Sequence, residues 1–358
     1  MSKAKRIVVI SLILLFVGSM VLVPLFENNT KESDSASEVL AQFAFQNNLE
    51  IYHGLSRDIN IIHTSLKASK VELYLDDSLL SSWNHPPKKI KFQLNSEKLK
   101  VGAKELRLAI YKGGTLAFED SRLLVILSDI VPIRRKASVI KLYPHNQGHF
   151  TQGLEFNGNT LYEGTGQNGS SLLAKIDMST GNPTQEVDLE STYFGEGITI
   201  LGNKVYQITW QQQKCFVYNK ETLEKVSEIN YNGEGWGLTN NGSQLIMTDG
   251  SERIYLRDPS SFEILKTIEV YDNKGPISNL NELEYIDGKI YANVWQQDFI
   301  VVIDPISGKV LEKIDCSEVI LKARGTGEVL NGIAYQASTK KLFLTGKNWS
   351  NMAEVRLK

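Results

Sequence analysis

Five side chains recur at one position of an internal repeat, and their types suit a site that handles a proton beside an amide: Gln152, Glu196, Trp236, Asn281 and Asn331. Each stands two residues before an apolar residue that matches across the repeats, namely Leu154, Ile198, Leu238, Leu283 and Ile333. A second set, Gly166, Trp210, Gly250, Trp295 and Lys347, ends the strand that follows each of these. The two strands of a hairpin run antiparallel, so both sets fall at the same end of their hairpins. One mouth therefore gathers a glutamine, a glutamate, three tryptophans, two asparagines and a lysine. Aromatic walls with a few convergent polar groups suit a small ligand. A lone carboxylate beside tryptophans is desolvated, which raises its pKa and equips it as an acid or base near neutrality. The plainer reading is packing, since a tryptophan at a strand end more often fills space. Three of the chain's five tryptophans at one register weigh against it.

The elements that must position these residues follow from the same repeat. The segments QGLEFNGNTLYEGTG, EGITILGNKVYQITW, WGLTNNGSQLIMTDG, NELEYIDGKIYANVW and NGIAYQASTKKLFLTGKNW each read as two strands around a turn. The matching positions are spaced by about 44, 40, 45 and 50 residues, and a second hairpin follows each of the first four. That is the length of a four-stranded propeller blade. The fifth unit stops at 353–357, one strand short, and 137–142 supplies a strand just before the first repeat. Closing the ring with that strand would remove its exposed edges. Residues 131–358 are therefore expected to form a five-bladed β-propeller in an all-β chain.

The region 40–130 carries short alternating runs, such as Val71–Leu75 and Leu106–Tyr111, with turns at Asp76-Asp77 and Lys112-Gly113-Gly114. It is expected to be a small β-sandwich, and its runs VELYLDDSLL and KLKVGAKELRLAIY resemble the immunoglobulin-like modules appended to exported bacterial enzymes. Residues 27–39 are polar and read as a linker. Residues 1–26 place Lys3, Lys5 and Arg6 before an apolar run from Ile7 to Phe26, which is long enough to span a bilayer. The basic flank should stay in the cytoplasm. The chain is thus expected to be exported, periplasmic or otherwise extracytoplasmic, and held at the inner membrane by residues 7–26 as a transmembrane helix; a cleaved signal would export it equally.

A net charge of -2 with no basic stripe gives no case for nucleic acid. Cys215 and Cys316 fit no zinc pattern and make no disulfide framework. His145 and His149 have a helical metal-ligand spacing, but Pro144 and Gly148 put them in a loop, so no metal is expected there. The run Gly233-Glu234-Gly235 reads as a turn between blades. No phosphate loop and no Gly-x-Ser-x-Gly elbow occurs. A metal-dependent propeller lactonase would need several axial carboxylates, whereas the five repeat positions supply Glu196 alone.

The runs YPHNQGHFTQGLEF, YEGTGQNGSSL, FGEGITILGNKVYQITW, EGWGL, NELEYIDGKIYANVW, LNGIAY and GKNW, in this order over about 137–357, resemble the plant- and bacterial-type glutaminyl-peptide cyclotransferases. The resemblance implies a five-bladed propeller that turns the N-terminal glutamine of peptides or proteins into pyroglutamate and releases ammonia, with no cofactor or metal step. It carries over Gln152 from FTQGL, Glu196 from FGEG, Trp210 from the close of that strand, Asn281 from NELE, Trp295 from NVW and Lys347 from GKNW, with Trp236 of EGWGL on the same mouth. In this reading Glu196 moves the proton, Lys347 and Asn281 face the oxyanion, Gln152 orients the substrate amide, and the tryptophans and Asn331 line the pocket. His149 departs from the family pattern, which has a small residue before Phe150. The alternative is a non-catalytic propeller at the cell surface that binds a peptide or other ligand at the same mouth.

Overall fold

The computed structural model describes residues 41–46, 48–63 and 68–358. The expected anchor at 7–26 and the linker at 27–39 lie outside the described residues. Among the described residues no helix is long and apolar enough to cross a membrane. The architecture is all-β, and the one helix among these residues, Ser317–Ala323, spans two turns.

The strands between Ala41 and Leu127 form two sheets. One has three strands, ordered Ala41–Phe43, Ser56–His63 and Lys89–Asn95. The other has five, ordered Leu49–Tyr52, Thr115–Leu127, Gly102–Lys112, Lys70–Leu75 and Ser78–Asn84. Burial alternates along Ser56–His63, so Ile59 and Ile61 face inward while their neighbours meet solvent. They join Leu73, Leu106, Leu108, Ile110, Leu124 and Ile126 in one core. Each such side chain contributes about 1.5–3 kcal/mol by leaving water. Both expected turns are present, with Asp76, Gly113 and Gly114 at positive φ.

From residue 133 onward the chain repeats one unit, a four-stranded antiparallel meander. Three units form separate sheets, spanning Thr151–Asp188, Gly195–Asn230 and Leu238–Glu269. The remaining two units share one eight-stranded sheet, and the strand Ile133–Pro144 joins them. Its first residues pair parallel with Val310–Asp315, and Ala137 onward pairs antiparallel with Asn351–Leu357. The closing strand expected at 137–142 is therefore in place, and it also grips the neighbouring unit. The innermost strands touch in a closed cycle: Thr151–Asn157, Gly195–Leu201, Leu238–Asn240, Leu280–Ile286, Leu330–Gln336 and back to the first. Leu154, Ile198, Leu238, Leu283 and Ile333 pair with Glu163, Gln207, Met247, Ala292 and Leu344, so the repeat positions share one register. Cys215 and Cys316 are both buried and free.

The sandwich rests on a short hairpin, Tyr271–Asp272 with Gly275–Pro276, that leaves the third repeat unit. Tyr271 packs with Val101 and Leu127. Lys104 pairs with Glu269 at 3.0 Å, and the same carboxylate accepts the Ala103 N–H at 3.2 Å.

Candidate active site

Four of the five innermost strands break register at their upper end. The irregularity falls between Thr151 and Gly153, Gly195 and Ile198, Leu280 and Leu283, and Leu330 and Ile333. Gln152, Glu196, Asn281 and Asn331 each sit inside one of these bulges. A bulge leaves its extra residue out of the ladder and re-aims the side chain. The residue after the functional position is often glycine because neighbouring backbones approach there. A Cβ on Gly197 would lie 2.3 Å from Leu238 N, and one on Gly237 would lie 2.0 Å from the Asn281 carbonyl. The second set of residues is held by one repeated bond. The N–H groups of Gly166, Trp210, Trp295 and Lys347 donate to the carbonyls of Phe150, Phe194, Asn279 and Val329 at 2.8–3.0 Å.

These devices bring the expected residues together. Gln152 donates to Glu196 Oε1 at 3.0 Å and accepts from Asn331 Nδ2 at 3.1 Å; Asn331 also donates to the Thr151 carbonyl at 2.9 Å. One N–H and one oxygen lone pair of the Gln152 amide are thus spent on protein, which holds Glu196 in place and leaves the second N–H and lone pair of the amide unspent. Asn281 is buried, and among the described residues its side chain makes no hydrogen bond and its Oδ1 has no partner. Lys347 is 5% exposed, lies 4.6 Å from the centre of the Phe150 ring and makes no ion pair within 4 Å among the described residues. The half-buried Trp236 and Trp295 meet edge to face at 5.7 Å, and Phe150, Phe194 and Trp210 continue the aromatic wall.

The charges fit proton chemistry. Burial pushes the Glu196 carboxyl well above its ordinary range; Lys347 opposes this and Glu234 reinforces it. Burial lowers the Lys347 ammonium, against the pull of Glu196 and Glu328. The mouth thus holds a carboxyl that releases its proton less readily than an exposed one beside an ammonium that gives one up more readily.

Three features were not foreseen. Glu234, read as part of a turn, accepts the indole N–H of Trp210 at 2.8 Å and of Trp236 at 3.1 Å on one oxygen. Its position between two glycines, two residues before Trp236, was the available signal. The innermost strands also carry two more buried carboxylates, Glu282 and Glu284, and the half-buried Glu155, so Glu196 is not the ring's single acidic group. Glu282 accepts the N–H of Leu154 at 3.3 Å and of Ile333 at 2.9 Å, and Glu284 accepts that of Tyr335 at 2.9 Å. They tie adjacent inner strands together, and burial pushes Glu155 up to about 7 and the other two well above the usual carboxylate range.

The third feature is the pair of histidines. They lie in a loop as expected, yet both reach buried Glu163, His145 Nε2 at 3.0 Å and His149 Nδ1 at 2.7 Å. Thr151 donates to the same carboxylate at 2.7 Å, and His145 Nδ1 faces the Trp349 carbonyl at 2.8 Å. Among the described residues this is the one group with donors close enough to hold a metal ion. Their short mutual contacts are those of hydrogen bonds. His145 faces an acceptor on each ring nitrogen, which calls for the imidazolium form.

The chain is similar to known proteins over this region. The family described as glutamine cyclotransferase matches residues 125–357. A glutaminyl-peptide cyclotransferase of Arabidopsis thaliana is 38% identical over 226 residues, which cover 62% of this chain and 71% of the relative. The crystal structure of Myxococcus xanthus glutaminyl cyclase aligns with a TM-score of 0.60 and 33% identity, covering 64% of this chain and 99% of that one.

Proposed function

The chain belongs to the glutamine cyclotransferase family, and we propose that it cyclises the N-terminal glutamine of peptides or proteins to pyroglutamate through Glu196. The closed cycle of inner strands supports a five-bladed propeller, with residues 40–130 as an immunoglobulin-like sandwich set before it. The apolar run at 7–26 supports export and attachment to the inner membrane, with the enzyme on the periplasmic or extracytoplasmic side.

In this reading the substrate's α-amine attacks the carbonyl carbon of its own side-chain amide. A new C–N bond closes the five-membered ring, the bond to the amide nitrogen breaks, and ammonia leaves. A free α-amine has a pKa near ~8, so it must give up a proton to attack. Once neutral, the amine attacks carrying two protons, and ring closure requires its nitrogen to lose one of them. A carboxylate whose proton affinity burial has raised exchanges that proton with little free-energy gap. Glu196 takes it and returns it to the departing nitrogen, so NH3 leaves and the ring keeps a single N–H. Lys347 Nζ and the unspent amide of Asn281 are the donors for the oxygen as it becomes negative. Gln152 and Asn331 keep Glu196 aimed, and Trp210, Trp236 and Trp295 hold the glutamine side chain curled over its amine, which supplies the proximity contribution.

The observation that carries the proposal is the buried Glu196, braced by Gln152 and facing a lysine that makes no ion pair within 4 Å among the described residues. Ammonia release from a Gln-initiated peptide amide, beside its Nα-acetylated form, tests it. Release from the free peptide alone is expected. A folded enzyme that binds the peptide and releases nothing would show a binding propeller instead.

A further inference from the structure

Two of the three tryptophans at the mouth depend on one side chain that no comparison assigns. Trp210 directly follows the second strand of one repeat unit, Lys204–Thr209, and Trp236 stands two residues before the inner strand of the next, Leu238–Asn240. Their indole N–H groups converge on the same oxygen, Glu234 Oε2, at 2.8 and 3.1 Å. The other oxygen accepts Gln211 Nε2 at 3.0 Å. Glu234 rides on the connection between the units, where Gly235 N–H donates to the Trp210 carbonyl at 2.9 Å and Trp236 N–H to the Thr248 carbonyl at 3.0 Å. Gly235 admits no side chain, since a Cβ would lie 2.3 Å from the Tyr231 hydroxyl. The backbone directly after Glu234 is thus held, beside a carboxylate that is only half buried.

An indole N–H needs one acceptor, and a carbonyl or a water would do. Using one carboxylate for two indoles adds a negative charge at the mouth as well as an orientation. We propose that Glu234 is a positioning residue of the cyclisation site: one carboxylate oxygen clips the indoles of Trp210 and Trp236 into the pocket wall. The proposal rests on the cyclisation reading. The charged and titratable groups that act on Glu196 are Lys347, itself faced by Glu328, then Glu234, with Tyr231 close enough to feel the Glu196 charge. Lys347 favours the ionised form of Glu196 and Glu234 disfavours it, so the two set its proton affinity from opposite sides.

E234Q and E234A separate clip from charge. The amide oxygen of E234Q still accepts an indole N–H, so KM for a Gln-initiated peptide stays close to wild type. Loss of the negative charge moves the acid limb of kcat/KM to lower pH by about half a unit or more. E234A shows the same limb shift and also a KM raised about tenfold, because both indoles lose their acceptor. Near-ultraviolet circular dichroism of the tryptophans reads the clip without turnover: E234A changes the spectrum and E234Q largely keeps it. An unmoved acid limb in both variants overturns the charge role. An unchanged spectrum in E234A overturns the clip, whatever the wild-type enzyme does with its substrate.

Discussion

Replacing Glu163 by glutamine tests the buried cluster behind the mouth. The substitution keeps size and one acceptor, so the Thr151 bond can persist. It removes the charge that faces both buried His145 and His149. Breaking a buried pair by removing one partner costs about 3–5 kcal/mol, because the other charge is left uncompensated. For a domain of this size each kcal/mol is worth roughly 2–4 °C, so the melting temperature should fall by about 6–20 °C. The pH dependence has a defined sign. Burial alone would lower the His145 pKa, but Glu163 raises it above 6.5; its stabilisation is full below the unfolded value and is lost as pH rises through the folded one. Burial alone would raise Glu163, but His145 and His149 hold it far below 4.5; its stabilisation is present above that value and fades only in strong acid. The gap between wild type and E163Q should therefore be widest between pH 4.5 and 6.5 and should narrow toward alkaline pH. Differential scanning calorimetry across that range measures it. A melting temperature unchanged at pH 6, or a gap that does not vary with pH, would refute the ion-pair reasoning.

Three other perturbations reach different parts of the molecule. Lys347→Met removes the cation that favours ionised Glu196, so the acid limb of kcat/KM should move to higher pH by about one unit, opposite to the effect at Glu234, and kcat should fall about 10²–10³-fold if Lys347 also faces the oxyanion. Gly250→Ala places a Cβ 2.6 Å from the Trp236 ring at a φ of +81°, so peptide titrations should show a raised KM from a displaced wall with little change in the pH profile. Glu269→Ala removes the partner of Lys104 and the acceptor of the Ala103 N–H, so limited proteolysis should cut between sandwich and propeller sooner while ammonia release stays at the wild-type rate.

The ring could be read from the sequence because strand alternation and turn residues repeat at a nearly constant interval. Leu154, Ile198, Leu238, Leu283 and Ile333 mark the register that the pairing confirms. The positions two before them were legible for the same reason. The bulges that aim them were not, because a bulge is an interruption of the very period that reveals the strand. Glu234 and the histidines eluded the reading on similar grounds. They sit in connections, where side-chain direction follows no period, and a Gly-x-Gly run looks the same whether its middle residue meets water or two indoles. Glu163 takes its partners from its own hairpin and the loop before it, 12 to 18 residues away, while Glu282 reaches partners 51 and 128 residues away that only the closed ring brings near.

The central claim is that Glu196 carries the proton from the α-amine to the departing nitrogen. Single-turnover ammonia release from a Gln-initiated dipeptide amide, wild type beside Glu196→Gln, tests it most directly. The amide keeps the bond to Gln152 but cannot exchange a proton, so the chemical step should slow about 10²–10⁴-fold while peptide binding persists. Undiminished release from a folded Glu196→Gln enzyme would contradict the account and move the proton to another group.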